Sequence, residues 1–135
     1  MMADEYENLR KSEVVVAKIL SILLKTGFQP SDLGVEKLGL ESSYEPFFEL
    51  SVIWLMEEKI IRGHFIRTID RMGRLTEPMI TAYGFGLLGQ NIVGGAEEKS
   101  NREAITQIAA APSGYSGIGD FIGGLLGGFT KSVSS

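Results

Sequence analysis

Residues 47–80 read FFELSVIWLMEEKIIRGHFIRTIDRMGRLTEPMI, and the fold turns on how that run divides. Phe47, Phe48, Leu50, Val52, Ile53, Trp54, Leu55 and Met56 crowd its first ten positions before Glu57–Glu58–Lys59, the profile of a mostly buried helix. Ser42 or Ser43 stands where an N-cap would, and Pro46 is tolerated in a first turn that needs no N–H from it. The character then changes. Ile60 to Arg67 mixes β-branched, aromatic and charged residues as a strand does. Asp70–Arg71–Met72–Gly73–Arg74 marks a tip, and Leu75 to Ile80 supplies a return strand that Pro78 restricts to a sheet edge. Thr81 is placed to cap a short helix through Leu88.

Upstream, residues 5–26 predict a long helix. Lys11, Lys18 and Lys25 recur every seven residues beside Ser21, and nearly everything else from Val14 to Leu24 is aliphatic. So narrow a polar stripe belongs to a helix buried on most sides, either running through the domain centre or shared with a second subunit. Its apolar girth exceeds what a small three-helix core usually covers, which predicts a homodimer. Gly27 is a C′ stop. Gln29–Pro30–Ser31–Asp32 then opens a short helix with Ser31 as N-cap, ending near Gly39.

Helix, short helix, helix, β-hairpin and closing helix is the order of a winged helix-turn-helix domain. FFELSVIWLMEEKIIRG, Phe47 to Gly63, resembles the third helix of that family with an EE-x-I-I-x-G step into the wing. ITAYGFGLL, Ile80 to Leu88, is similar to the L-T-x-x-G-x-x-L-L segment that commonly follows the wing. The resemblance covers roughly residues 10–90, and it implies a mainly α fold with a small β-hairpin. It also implies a third helix that enters the DNA major groove, where Arg, Lys, Asn and Gln read base edges.

This sequence departs from that pattern. Between Ser43 and Glu58 the ionised residues are Glu45, Glu49, Glu57 and Glu58, which phosphates would repel. The wing is the reverse: Lys59, Arg62, Arg67, Arg71 and Arg74, with His64, against Asp70 alone. Two functions follow. One is a regulator or adaptor acting through protein–protein contacts, as many members of the family do. The other is a DNA-binding transcriptional regulator whose basic wing meets phosphates. A hairpin that merely keeps its edges polar would carry the same charges.

Composition bounds the rest. At 135 residues, 44% hydrophobic and 22% charged, there is room for one cored domain and an appendage. A net charge of −4 argues against a surface wholly given to nucleic acid. Absence of cysteine removes disulfides, thiolate metal sites and thiol nucleophiles, and fits a cytoplasmic protein. No uninterrupted apolar run approaches the length of a membrane-spanning helix. Twelve of the 17 glycines lie from Gly84 onward, which places a compact domain at 5–93 and a hinge at Gly94–Gly95.

No catalytic group, metal site or cofactor is expected. Gly84–Phe85–Gly86–Leu87–Leu88–Gly89 matches G-x-G-x-x-G, but the dinucleotide site needs a buried strand before it and a sustained helix after it. Pro78 and Gly94–Gly95 deny both. His64 is the single histidine and has no triad or ligand partners at suitable spacing. Glu57–Glu58 and Glu97–Glu98 are adjacent, so on a helix they point about 100° apart, unsuited to shared acid–base work.

Beyond the hinge, Ser100 and Glu103 have capping-box spacing for a helix through Ala104, Ile105, Ile108 and Ala109 that Pro112 ends. A glycine-striped tail follows. Ile118, Phe121, Ile122, Leu125, Leu126 and Phe129 form one apolar stripe, and Gly119, Gly123 and Gly127 form a small-xxx-small ladder. The stripe suits self-association or docking on a protein partner. It also suits an interfacial membrane helix, or a tail that never orders. Ile118 to Phe129 as a helix is about 18 Å long at 1.5 Å per residue, too short to span a bilayer.

Overall fold

The computed structural model describes residues 7–29, 31–68, 71–89 and 101–110. Helix α1 spans Glu7–Thr26 and stops where Gly27 takes a φ of 56° and donates its N–H to the Leu23 carbonyl at 3.0 Å. That is the left-handed C′ cap a glycine adopts without a Cβ penalty. Val14, Val15, Ala17, Ile19 and Leu20 are 0% exposed, while Lys11, Lys18, Ser21 and Lys25 keep the one wetted strip. The helix runs through the centre of the fold. It is packed against helices α2 (Phe48–Glu57) and α4 (Asn101–Ala110), two 3₁₀ turns and the second hairpin strand. Much of the apolar surface of α1 is thus covered within the chain, while Leu9 is exposed and Ile22 and Leu24 are half-buried. Glu13, fully buried just before the aliphatic run, is engaged rather than left alone.

The stretch after Gly27 corrects the reading of a helix capped by Ser31. Leu33 is extended instead and exchanges two 2.8 Å backbone hydrogen bonds with Leu75. These long-range bonds claim the backbone that a local helix would have used. Only a 3₁₀ turn at Val35–Leu38 remains, with Gly34 before it and no side-chain cap. A second 3₁₀ turn, Ser42–Phe47, leads into α2, and neither Ser42 nor Ser43 caps it; Glu41 holds the N-cap position without a side-chain bond. Pro46 sits inside this turn, where it has no N–H to donate.

Helix α2 buries Phe48, Ser51, Val52 and Leu55, spaced i, i+3, i+4, i+7. It ends in a Schellman motif. The Ile60 N–H reaches the Leu55 carbonyl at 2.9 Å and the Lys59 N–H reaches Met56 at 3.0 Å, with Lys59 itself left-handed at φ 64°. Ile60 and Leu55, both buried, supply the apolar contact that accompanies this cap.

Strands β1 (Ile61–Thr68) and β2 (Arg71–Ile80) pair antiparallel, so the return strand is longer than the sequence suggested and takes in Arg71 to Arg74. Pro78 does stand on an edge, since β1 and β2 form a two-stranded sheet among the described residues. Between the pairs Arg62↔Met79 and His64↔Thr76, Glu77 and Pro78 together oppose Gly63 in a bulge, where a missing N–H disrupts nothing. At Leu75, β2 is flanked on both sides, by β1 and by Leu33. A second bulge places Gly73 under the Phe65 ring, too close for a Cβ.

Thr81 caps α3 (Ala82–Leu88), its hydroxyl accepting from the Gly84 N–H at 2.8 Å. The same hydroxyl donates to the Lys59 carbonyl at 2.6 Å, which ties α3 to the end of α2. Gly84 lies against the Ile60 carbonyl with no room for a side chain. The fold is therefore mainly α with one small hairpin. Helix α4, assigned from sequence to the segment beyond the hinge, sets Ile105 and Ile108 into the same core and packs on α1. No helix among the described residues is long and apolar enough to cross a membrane.

Candidate functional site

Of the five wing cations, the four with described side chains do not form one open patch. Arg67, on β1, donates from Nε to Glu49 Oε1 at 3.0 Å and from Nη2 to Glu49 Oε2, a two-pronged bond onto helix α2. Arg74, on β2, closes on Glu36 in the first 3₁₀ turn. That hydrogen bond, reinforced by a backbone bond within Glu36, holds the Glu36 carboxyl below its ordinary value of 4.5. Arg62 is exposed and lies 3.8 Å from the Met79 sulfur, and Lys59 is exposed on the α2–β1 turn. Arg71 belongs to β2, but its side chain is outside the described residues.

Two of the arginines expected to be free for phosphates thus pair with carboxylates at the surface. The partners are 18 and 38 residues away in sequence, so no local spacing could have announced them. Both pairs are partly wetted. Each contributes at most about 1 kcal/mol, enough to orient the hairpin rather than to hold the fold.

The acidic character of α2 persists in three dimensions. Glu49 is committed to Arg67, whereas Glu45 at its N-terminal end and Glu57 at its C-terminal end form no salt bridge among the described residues. Partial burial lifts the Tyr83 phenol above its ordinary value of 10.0, and the Glu58 carboxylate adds to the shift. What sequence reasoning missed is the solvent face of α2. Leu50, counted with the apolar run of a buried helix, is 69% exposed. Ile53 and Trp54 beside it are half-buried. The pattern was legible in principle, because 50, 53, 54 and 57 repeat the i, i+3, i+4, i+7 spacing of the core positions 48, 51, 52 and 55 on the opposite side.

No chemistry assembles elsewhere among the described residues. His64 sits exposed on β1, its carbonyl accepting from the Thr76 hydroxyl at 3.1 Å. Among the described residues no group of His, Asp and Glu is arranged to hold a metal. The G-x-G-x-x-G run is a helix and its exit, following an antiparallel hairpin, and its first glycine serves packing against Ile60. The tail residues Ile118, Gly119, Phe121, Ile122, Gly123, Leu125, Leu126, Gly127 and Phe129, the hinge at Gly94–Gly95 and the wing-tip Asp70 lie outside the described residues. No protein-family model, curated protein or solved structure matches the chain.

Proposed function

We propose that this chain is a non-catalytic binding module of winged-helix type, a small cytoplasmic regulator or adaptor that works through protein–protein contacts. One observation carries the reading: the charge placement on α2 and its hairpin. A DNA reader would lay this helix in the major groove, yet its ionised residues are all carboxylates. Arg67 and Arg74 are paired with Glu49 and Glu36, so a phosphate would compete with those carboxylates for them. The order of central helix, turns, helix, hairpin and capped short helix supports the winged-helix part of the reading. The striped tail would add self-association or docking.

The competing reading, a DNA-binding regulator, rests on the exposed Lys59 and Arg62. Titration of a mixed-sequence duplex at about 50 and about 200 mM salt separates the two. A protein using six or more phosphate contacts loses on the order of a thousandfold in affinity over that interval. The module reading expects no such binding. A steep salt slope that flattens when Arg62, Arg67, Arg71 and Arg74 become Ala overturns it. For the tail, Leu125→Asp and Gly123→Leu both weaken docking on protein. A stripe lying in a lipid interface loses with the first and gains with the second, and liposome flotation reads the difference.

A further inference from the structure

Helix α2 is apolar on two sides; one is sealed in the core, and the other is covered only in part, Trp54 packing against the edge of the core while Leu50 stays in water. Phe48, Val52 and Leu55 are 0% exposed, whereas Leu50, on the far side, is 69% exposed with Ile53 and Trp54 half-buried next to it. A lone exposed leucine needs no explanation, but a stripe at helical spacing that includes a tryptophan is the composition of an interface centre. Its frame is acidic: Glu45 precedes the stripe, Glu57 ends it, both are without a salt bridge among the described residues, and no Lys or Arg occurs between Ser43 and Glu58.

We propose that the outer stripe of α2, Leu50–Ile53–Trp54 between Glu45 and Glu57, docks a basic amphipathic helix of a partner protein. The inference rests on the protein-binding reading above and names its surface and partner chemistry. Apolar residues at i, i+3 or i+4, and i+7 of the partner cover the stripe, and flanking Lys or Arg meet the carboxylates at its ends. A second copy is a poorer occupant. The lysine strip of α1 has the right charge, but most apolar residues of that helix are turned into its own core, and the exposed Leu9 alone makes no i, i+3, i+4, i+7 stripe to cover Trp54. Anionic lipid and nucleic acid meet like charge there.

Trp54 is the single tryptophan, so its emission reports on this surface in the full-length chain. The probes are a Leu/Lys peptide with leucines at i, i+3, i+4 and i+7 and the same peptide with Glu for every Lys. The lysine peptide is expected to blue-shift Trp54 saturably, more weakly at high salt, and the glutamate peptide to leave the spectrum unchanged. Leu50→Asp and Glu57→Lys, both at exposed positions, should each weaken binding by about tenfold or more, and Phe28→Asp, on another element, should not. Equal response to both peptides, response to neither, or indifference to Leu50→Asp and Glu57→Lys overturns the proposal. So does a concentration-dependent blue shift without peptide, which assigns the face to a second copy. Silence from both peptides together with a blank duplex titration condemns this surface alone, whereas steep salt-dependent duplex binding condemns the protein-binding reading itself.

Discussion

Helices α1 and α2 present the same problem, an apolar circumference too wide for one packing partner, and the chain treats them differently. Around α1 it places α2, α4, both 3₁₀ turns and β2, so that five consecutive residues, Glu13 to Ala17, are all buried. Around α2 it places α1, the hairpin and the 3₁₀ lead-in on one side, with the hairpin secured by the Arg67–Glu49 pair, and leaves Leu50 in water. A helix hydrophobic all round is normally interior, and a half-covered one has a use for its open side. The lesson is that apolar content alone does not say which face is core. That is decided by how many neighbours the topology can bring to the helix.

The largest expected effect tests whether the two helices differ as described. Leu20→Ala, in the sealed part of α1, should cost about 3 kcal/mol through lost contacts and a cavity, whereas Leu50→Ala should stay within about 0.5 kcal/mol. Denaturant unfolding of both variants reads this directly, and comparable losses would break the contrast.

Next in size is a pair of glycines on α3, the helix tied to the end of α2. A Cβ at Gly84 meets the Ile60 carbonyl, while one at Gly86 meets nothing within 4 Å. Gly84→Ala should therefore destabilise by about 1–3 kcal/mol, and Gly86→Ala should stabilise by about 0.5–1 kcal/mol as a better helix former. Thermal melts with opposite shifts are the expected result.

The helix ends sharpen the comparison further. Gly27 ends α1 at φ 56°, but α2 ends on Lys59 at φ 64°, where an L-residue crowds its own carbonyl. Lys59→Gly should raise stability by roughly 0.5–1 kcal/mol without affecting the Trp54 face, and a lower melting temperature would contradict the left-handed cap.

The smallest effect concerns the hairpin's second clamp. Glu36 has a depressed pKa, so its bond to Arg74 contributes stability that is fully present above its ordinary value of 4.5 and lost as pH falls below it. The pair is partly exposed, which limits the contribution to a few tenths of a kcal/mol. The difference in melting temperature between the parent and Glu36→Gln should be present near pH 7 and vanish on acidification. A difference that grew toward low pH would reverse the sign assigned to the pair.

Local physics wrote much of this fold into the chain. The seven-residue lysine repeat placed the wet strip of α1, Gly27 its stop and Thr81 the cap of α3, because each depends on residues within a turn of one another. The acidic character of α2 was equally plain, since charge is a property of composition. Tertiary structure alone decided the rest. It took Leu33 from a helix into a bridge with Leu75, fitted Pro78 into a bulge, and closed Arg67 on Glu49 and Arg74 on Glu36. It also chose which side of α2 faces the core, although both sides follow the same spacing. Each of those outcomes joins residues far apart in sequence, and periodicity carries no information about which distant backbone or side chain will arrive.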